Sequence, residues 1–191
     1  EYRAVTTDAA GGRAAASTYA SVGNAVNGAV PEPEPEQPFE PEPQEPTIYE
    51  FVSVPGSFNS EAGCPGDWQP DCDDVQMTLK DGIWMLRLDD LAAGAYEYKI
   101  ATEKAWDENY GAGGVLNGPN IALTHGGGPI TFYFDPRTKN IRSTADGPIL
   151  TLPGSFQSEL GCPGDWQPDC LASMMFDRNG DGIFQFTTDD L

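Results

Sequence analysis

Two indoles, one ammonium and several amides lie close together in this sequence, at Trp68, Lys99, Trp106, Asn117 and Asn120. These side-chain types suit an uncharged polyol. Sugar rings present apolar C–H faces that stack on indoles, and hydroxyls that bond ammonium and amide groups. Trp68 stands between Gly66-Asp67 and Gln69-Pro70. A polar, rigid turn of that kind offers a flat aromatic face to a ligand at low entropic cost. Folding back as a lid over the end of a sandwich fits the same residues equally well. Trp106 follows Lys99 by seven residues, just past a strand end. A ligand contact and a plug at the end of the fold both suit it.

Other chemistry is poorly supported. Carboxylates are plentiful at Asp67, Asp71, Asp73, Asp74, Asp107 and Glu108. A glycosidase needs two of them about 5–10 Å apart across a cleft, which a small β-sandwich without a deep pocket rarely supplies. His125 is the one histidine, so no Ser–His–Asp set is credible. No catalytic residue is therefore expected. The DRNGDG stretch Asp177–Gly182 resembles the opening of a calcium loop, but the twelfth position, which must be a bidentate Glu, is Thr188. A hairpin with an Asn179-Gly180 turn is the better reading, and neither metal nor cofactor is expected.

The four cysteines form two pairs of identical spacing, Cys64 with Cys72 and Cys162 with Cys170. Zinc would want closer CxxC-type spacing with histidine or a second pair nearby. Two local disulfides are expected instead, each fixing a loop that presents a tryptophan. They imply an oxidising compartment and hence export.

The elements that position these residues are repeated. PGSFNSEAGCPGDWQPDC at Pro55–Cys72 returns as PGSFQSELGCPGDWQPDC at Pro153–Cys170, identical at sixteen of eighteen positions. Apolar runs precede both stretches, and an Asp-Asp-Leu follows each, at Asp89–Leu91 and Asp189–Leu191. An offset of 98 to 100 residues is that of a duplicated domain, not of a solenoid. In the first repeat, strands are expected at Tyr49–Val54, Val75–Leu79, Ile83–Leu88, Ala95–Ala101, Ile121–Thr124, Ile130–Phe134 and Lys139–Ser143. They are short, β-branched and aromatic, and are punctuated by turn signals. Tyr96, Tyr98 and Ile100 alternate towards a core, which puts Lys99 on the opposite face. Seven such strands in about 100 residues predict an antiparallel β-sandwich. The second repeat keeps Trp166 but ends here before any equivalent of Lys99 or Trp106, so the full set is expected only in the first.

The rest of the chain reads as connection. Pro31–Pro46 holds seven prolines and six glutamates in sixteen residues. Missing donors and like-charge repulsion make this an extended spacer. Residues 1–22 read as two strands around an Asp8–Gly12 turn. The formal charge of −20 argues against nucleic acid and against anionic membranes. No run reaches the ~18 apolar residues of a membrane span.

Two resemblances follow from these motifs. YRAVTTDAAGG with the following AAS resembles the last two strands of a fibronectin type III-like domain. GSFNSEAGCPGDWQP followed by YEYKIATEKAWDENYG resembles the starch-binding-like modules that precede the catalytic domain in bacterial pullulanases and amylopullulanases. More distantly it is similar to starch- and glycogen-binding domains with an immunoglobulin-like sandwich. In those families a Trp follows the GSF-type strand end, and a Lys and a second Trp come from the YxYK…W stretch. The resemblance thus places Trp68, Lys99 and Trp106 on sugar-binding positions, with the amide supplied by Asn117 or Asn120. It implies a fibronectin-like remnant over 1–22, a linker over 23–46, a complete immunoglobulin-like module over 47–144 and a truncated copy over 148–191. The expected partners are an α-glucan (starch, glycogen or pullulan) and the catalytic domain of a secreted pullulanase-type parent, with a ligand-free structural spacer as the alternative.

Overall fold

The structure is a computed structural model that describes residues 48–177 and 181–188, together with the backbone of two short strands near the N-terminus. Those strands, β1 (Val5–Thr7) and β2 (Arg13–Ala15), pair antiparallel with Thr6 opposite Ala14. The rest of the fibronectin-like stretch, the Pro/Glu linker, the Asn179-Gly180 turn and Asp189–Leu191 lie outside the described residues. The chain divides into two units, Glu1–Pro43 and Gln44–Leu191.

In the second unit the chain is all-β and antiparallel. The strands are β3 (Val52–Ser53), β4 (Thr78–Lys80), β5 (Ile83–Leu91), β6 (Gly94–Tyr98), β7 (Ile100–Thr102), β8 (Asn109–Tyr110), β9 (Ile121–His125), β10 (Gly128–Phe134) and β11 (Ile141–Ser143). Strands β11, β10, β5 and β4 form one sheet, β3, β7 and β8 a second, and β6 pairs with β9. Only four short 3-10 turns interrupt them among the described residues.

Period-two patterning explains the layers. Along β5, Trp84, Leu86 and Leu88 face the core, and Phe132 and Phe134 of β10 join them. Val52, Val54, Phe58, Tyr98 and Ile100 close the same core from the opposite layer, which makes the fold a β-sandwich. The Phe58 ring stacks on Phe132 with centroids 5.3 Å apart, and Tyr98 meets Phe132 edge-on at 5.0 Å. Each such buried side chain contributes roughly 1.5–3 kcal/mol. The intervening residues Ile83, Met85 and Tyr133 point out of the other face, yet they too are covered, by Leu171, Met174 and Phe176.

Three departures from the sequence pattern bear on function. The run expected as one strand over Ala95–Ala101 is two strands. It breaks at Lys99, whose N–H donates to the Pro55 carbonyl at 2.9 Å while Tyr98 bridges Gly56. Crossing between sheets at that point turns Lys99 away from the core, as the Tyr96, Tyr98, Ile100 alternation requires. Strand β8 has no β-branched run to announce it, and it exists because its two residues pair with β7, Ala101 opposite Asn109. The strand expected over Val75–Leu79 begins later, after a 3-10 turn at Asp73–Val75. No helix among the described residues is long and apolar enough to cross a membrane.

Candidate functional site

The loop that carries Trp68 is built around one buried amide. Asn59 is fully buried and accepts the N–H groups of Gly56 and Gln69, both at 3.1 Å, on a single oxygen. Its amide nitrogen donates to the Val54 carbonyl at 3.1 Å. One short side chain thereby ties the end of β3 to the turn beyond the indole. Asp67 adds a second tie, accepting from the Ser60 backbone N–H at 3.0 Å and from its hydroxyl at 2.7 Å. Those hydrogen bonds hold the exposed Asp67 carboxyl below its ordinary range. The Cys64–Cys72 disulfide closes the loop. Trp68 itself adopts φ +59°, a left-handed conformation that side chains bearing a Cβ occupy at a cost. Its N–H donates to the Gly56 carbonyl at 3.0 Å, which holds that conformation in place.

Trp106 arrives on a different element. Strands β7 and β8 form a hairpin whose tip, Glu103–Glu108, begins with two left-handed residues, Glu103 and Lys104. The Thr102 N–H and hydroxyl both bond the Glu108 carbonyl, which closes the hairpin below the tip. Lys104 reaches Asp73 at 2.7 Å and fastens the tip towards the Trp68 loop. The result brings together two residues far apart in sequence. The Trp68 and Trp106 ring centroids lie 6.4 Å apart at an interplanar angle of 40°. Trp106 is 40% exposed and Trp68 half-buried, so neither indole lies in the sandwich core.

A polar network adjoins the hairpin. Lys99 donates to the Asn109 side-chain oxygen at 2.6 Å. The Asn109 amide nitrogen donates to the Trp106 carbonyl at 3.0 Å and to the Asn117 side-chain oxygen at 2.8 Å. Asn117 lies in a left-handed conformation, and its N–H donates to the Asn109 carbonyl at 2.8 Å. The structure therefore joins Lys99, Asn117 and the Trp106 backbone through Asn109, a residue within the YxYK…W stretch that the resemblance did not single out. Its signal in the sequence is an amide three residues after Trp106, whereas its place opposite Ala101 comes from the fold. Asn120 stands apart from this network and donates to the Glu97 carboxylate at 3.0 Å.

Behind β8, Glu108 anchors the hairpin. It accepts from the Tyr49 hydroxyl at 2.6 Å and from the Tyr110 hydroxyl, while Lys139 donates to Tyr49 at 2.8 Å. Burial works against the charged carboxylate, but the two phenols and the Lys139 charge outweigh it and hold Glu108 below its ordinary range. The same burial pushes the Tyr49 and Tyr110 phenols upward and the Lys139 amine downward. In the Trp68 loop, the Cys64 and Cys72 sulfurs lie close to Asp74, but both belong to the disulfide and offer no thiolate to a metal.

The second repeat reproduces the first loop with two exchanges, Asn59 to Gln157 and Ala62 to Leu160. Gln157 replaces Asn59, is equally buried, and accepts from Gln167 at 2.6 Å and Gly154 at 3.4 Å. Asp165 bonds Ser158 as Asp67 bonds Ser60, and the Cys162–Cys170 disulfide is present. Trp166 takes the same left-handed φ of +59° and is 68% exposed.

Comparison with known proteins agrees with these motifs. The profile of the pullulanase X25 domain family matches residues 51–141 and again 149–191. An amylopullulanase of Thermoanaerobacterium thermosulfurigenes is 29% identical over 145 residues, covering 71% of this chain and 8% of the relative. One from Thermoanaerobacter thermohydrosulfuricus is 30% identical over 146 residues, or 72% of this chain and 10% of the relative. The chain thus spans about a tenth of the length of these curated relatives. The solved pullulanase from Bacillus acidopullulyticus superposes with a TM-score of 0.47 at 27% identity, over 54% of this chain and 12% of that one.

Proposed function

Because this chain belongs to the pullulanase X25 domain family, we propose that residues 47–144 form a non-catalytic module that binds α-glucan chains such as starch, glycogen or pullulan. Membership makes it an accessory domain of pullulanase-type enzymes. The finer reading is that Trp68 and Trp106 stack glucose rings while Lys99 and Asn117 bond hydroxyls. One observation carries it: indoles from two separate loops meet at 6.4 Å beside a lysine–amide network, outside the core. Affinity for one such shallow site is about 4–7 kcal/mol, which corresponds to the micromolar to millimolar range. The parent protein is then a secreted hydrolase whose catalytic domain this module holds on polysaccharide. The two disulfides support export, because they persist only in an oxidising compartment.

A structural spacer that binds no ligand is the second reading. The observation in its favour is that the Lys99 amine is already engaged by Asn109. Titrating the chain with maltoheptaose while following tryptophan fluorescence separates the two. A saturable change that disappears in Trp106→Ala is expected. A flat titration of the wild type supports the spacer.

A further inference from the structure

The positions at which the two repeats differ fall into a pattern that the indole site does not explain. Just after the second cysteine, Asp73, Asp74, Gln76 and Thr78 of the first repeat become Leu171, Ala172, Met174 and Phe176 in the second. The backbone there is the same in both. Each repeat has a 3-10 turn, at Asp73–Val75 and Leu171–Ser173, and the Ser53–Gln76 bridge recurs as Thr151–Met174. Four polar residues have therefore become apolar on an unchanged frame, while the buried Val75 between them has become Ser173.

Three of those apolar residues have a seat, while Ala172 packs against the Cys162–Cys170 disulfide of its own repeat. Leu171, Met174 and Phe176 are all buried, and they pack on Ile83, Met85 and Tyr133, the outward face of β5 and β10 in the first repeat. Polar groups frame the contact. The Asp81 carboxylate accepts from the Leu171 N–H at 3.2 Å, and Arg137 donates to the Ala172 carbonyl at 3.4 Å. Arg142 donates to the Gly147 and Pro148 carbonyls at 3.3 and 3.0 Å, and its guanidinium lies 5.2 Å from the centre of the Phe184 ring. The connection is itself pinned, since the Asp146 carboxylate accepts from the Ser143 N–H and hydroxyl at 2.6 and 3.0 Å.

We propose that the outward face of β5 and β10 is a dedicated docking surface for the following repeat, and that the polar-to-apolar exchanges after the second cysteine encode the docking. The contact is head-to-tail, with different surfaces on the two sides. The second repeat does not rebuild the whole seat, because Met85 is replaced there by Gln185. The Trp68 and Trp166 loops are consequently held in one frame instead of swinging on a linker. The burial of three apolar side chains drives the contact.

Methionine oxidation by hydrogen peroxide, read by mass spectrometry on the folded chain, tests this directly, because oxidation follows exposure. Met77 lies in the sandwich core and serves as the internal standard, whereas Met174 is buried in the cluster that joins Leu171 and Phe176 to Ile83, Met85 and Tyr133 of the first repeat. In the wild type Met174 should oxidise as slowly as Met77. Oxidation of Met174 at the rate of a free methionine peptide would overturn the proposal without any variant. A second arm restores the first repeat's own residues through Leu171→Asp, Ala172→Asp, Met174→Gln and Phe176→Thr. Met85 should then oxidise several-fold faster while Met77 keeps its wild-type rate. An unchanged Met85 rate contradicts the docking, and if Met77 also accelerates, the wild-type comparison of Met174 with Met77 decides.

Discussion

Asn109→Ala is the most informative perturbation of the site, because one side chain there holds three others. Truncation removes the acceptor of Lys99 at 2.6 Å and the donors to the Trp106 carbonyl at 3.0 Å and to Asn117 at 2.8 Å. A hydrogen bond to a charged group contributes about 1.5–3 kcal/mol and a neutral one about 0.5–1.5, so the three sum to roughly 2.5–6 kcal/mol. Lys99 and Asn117 are not buried and regain water, whereas the β7–β8 pairing is backbone and survives. The lower end therefore applies, a loss of about 2–3 kcal/mol. With a urea slope of about 2 kcal/mol per molar, the unfolding midpoint should fall by about 1–1.5 M. Maltoheptaose affinity should fall as well, because Lys99, Asn117 and the Trp106 hairpin lose their common tie. Urea titration followed by tryptophan fluorescence measures the first effect and glucan titration the second. A midpoint shift within error, or full affinity in the folded variant, would refute the keystone role of Asn109.

Two further perturbations follow from the same geometry. Replacing Cys64 and Cys72 by alanine removes a cross-link between residues eight apart in sequence, which should cost about 2.6 kcal/mol by chain entropy. Glucan binding should survive that change under native conditions, because Asn59 and Asp67 hold the loop independently; lost binding in a folded variant would make the disulfide itself the positioning element. The pH dependence should show the Glu108 anchor. Its folded pKa is lowered from 4.5, so its contribution is complete above that value and is lost as the pH falls through the lowered folded pKa. The urea midpoints of wild type and Glu108→Gln should accordingly converge on acidification, and a gap that stays constant down to acid pH would contradict the anchor.

Much of this was legible in the sequence, for identifiable reasons. Alternation along Ile83–Leu88 and Ile130–Phe134 marked the inner faces of the sandwich, since period two is a property of the strand itself. The duplicated stretch marked the disulfide loop, and the Lys99-to-Trp106 spacing marked the second indole. What escaped depends on long-range pairing. Strand β8 is two residues long and is defined by its partner, so no strand was expected over Asn109–Tyr110. The break at Lys99 comes from Pro55, more than forty residues earlier. The apolar run at Leu171–Phe176 gave no sign that its partners lie on the outside of another sheet.

The central claim is that the paired indoles bind α-glucan, and affinity electrophoresis through a starch-containing gel tests it most directly. The wild type should be retarded relative to a starch-free gel. Trp106→Ala should run unretarded, and Trp166→Ala should stay close to the wild type, because Trp166 is exposed and the paired indoles are Trp68 and Trp106. Wild-type mobility that is the same with and without starch, or equal retardation of Trp106→Ala, would contradict the account.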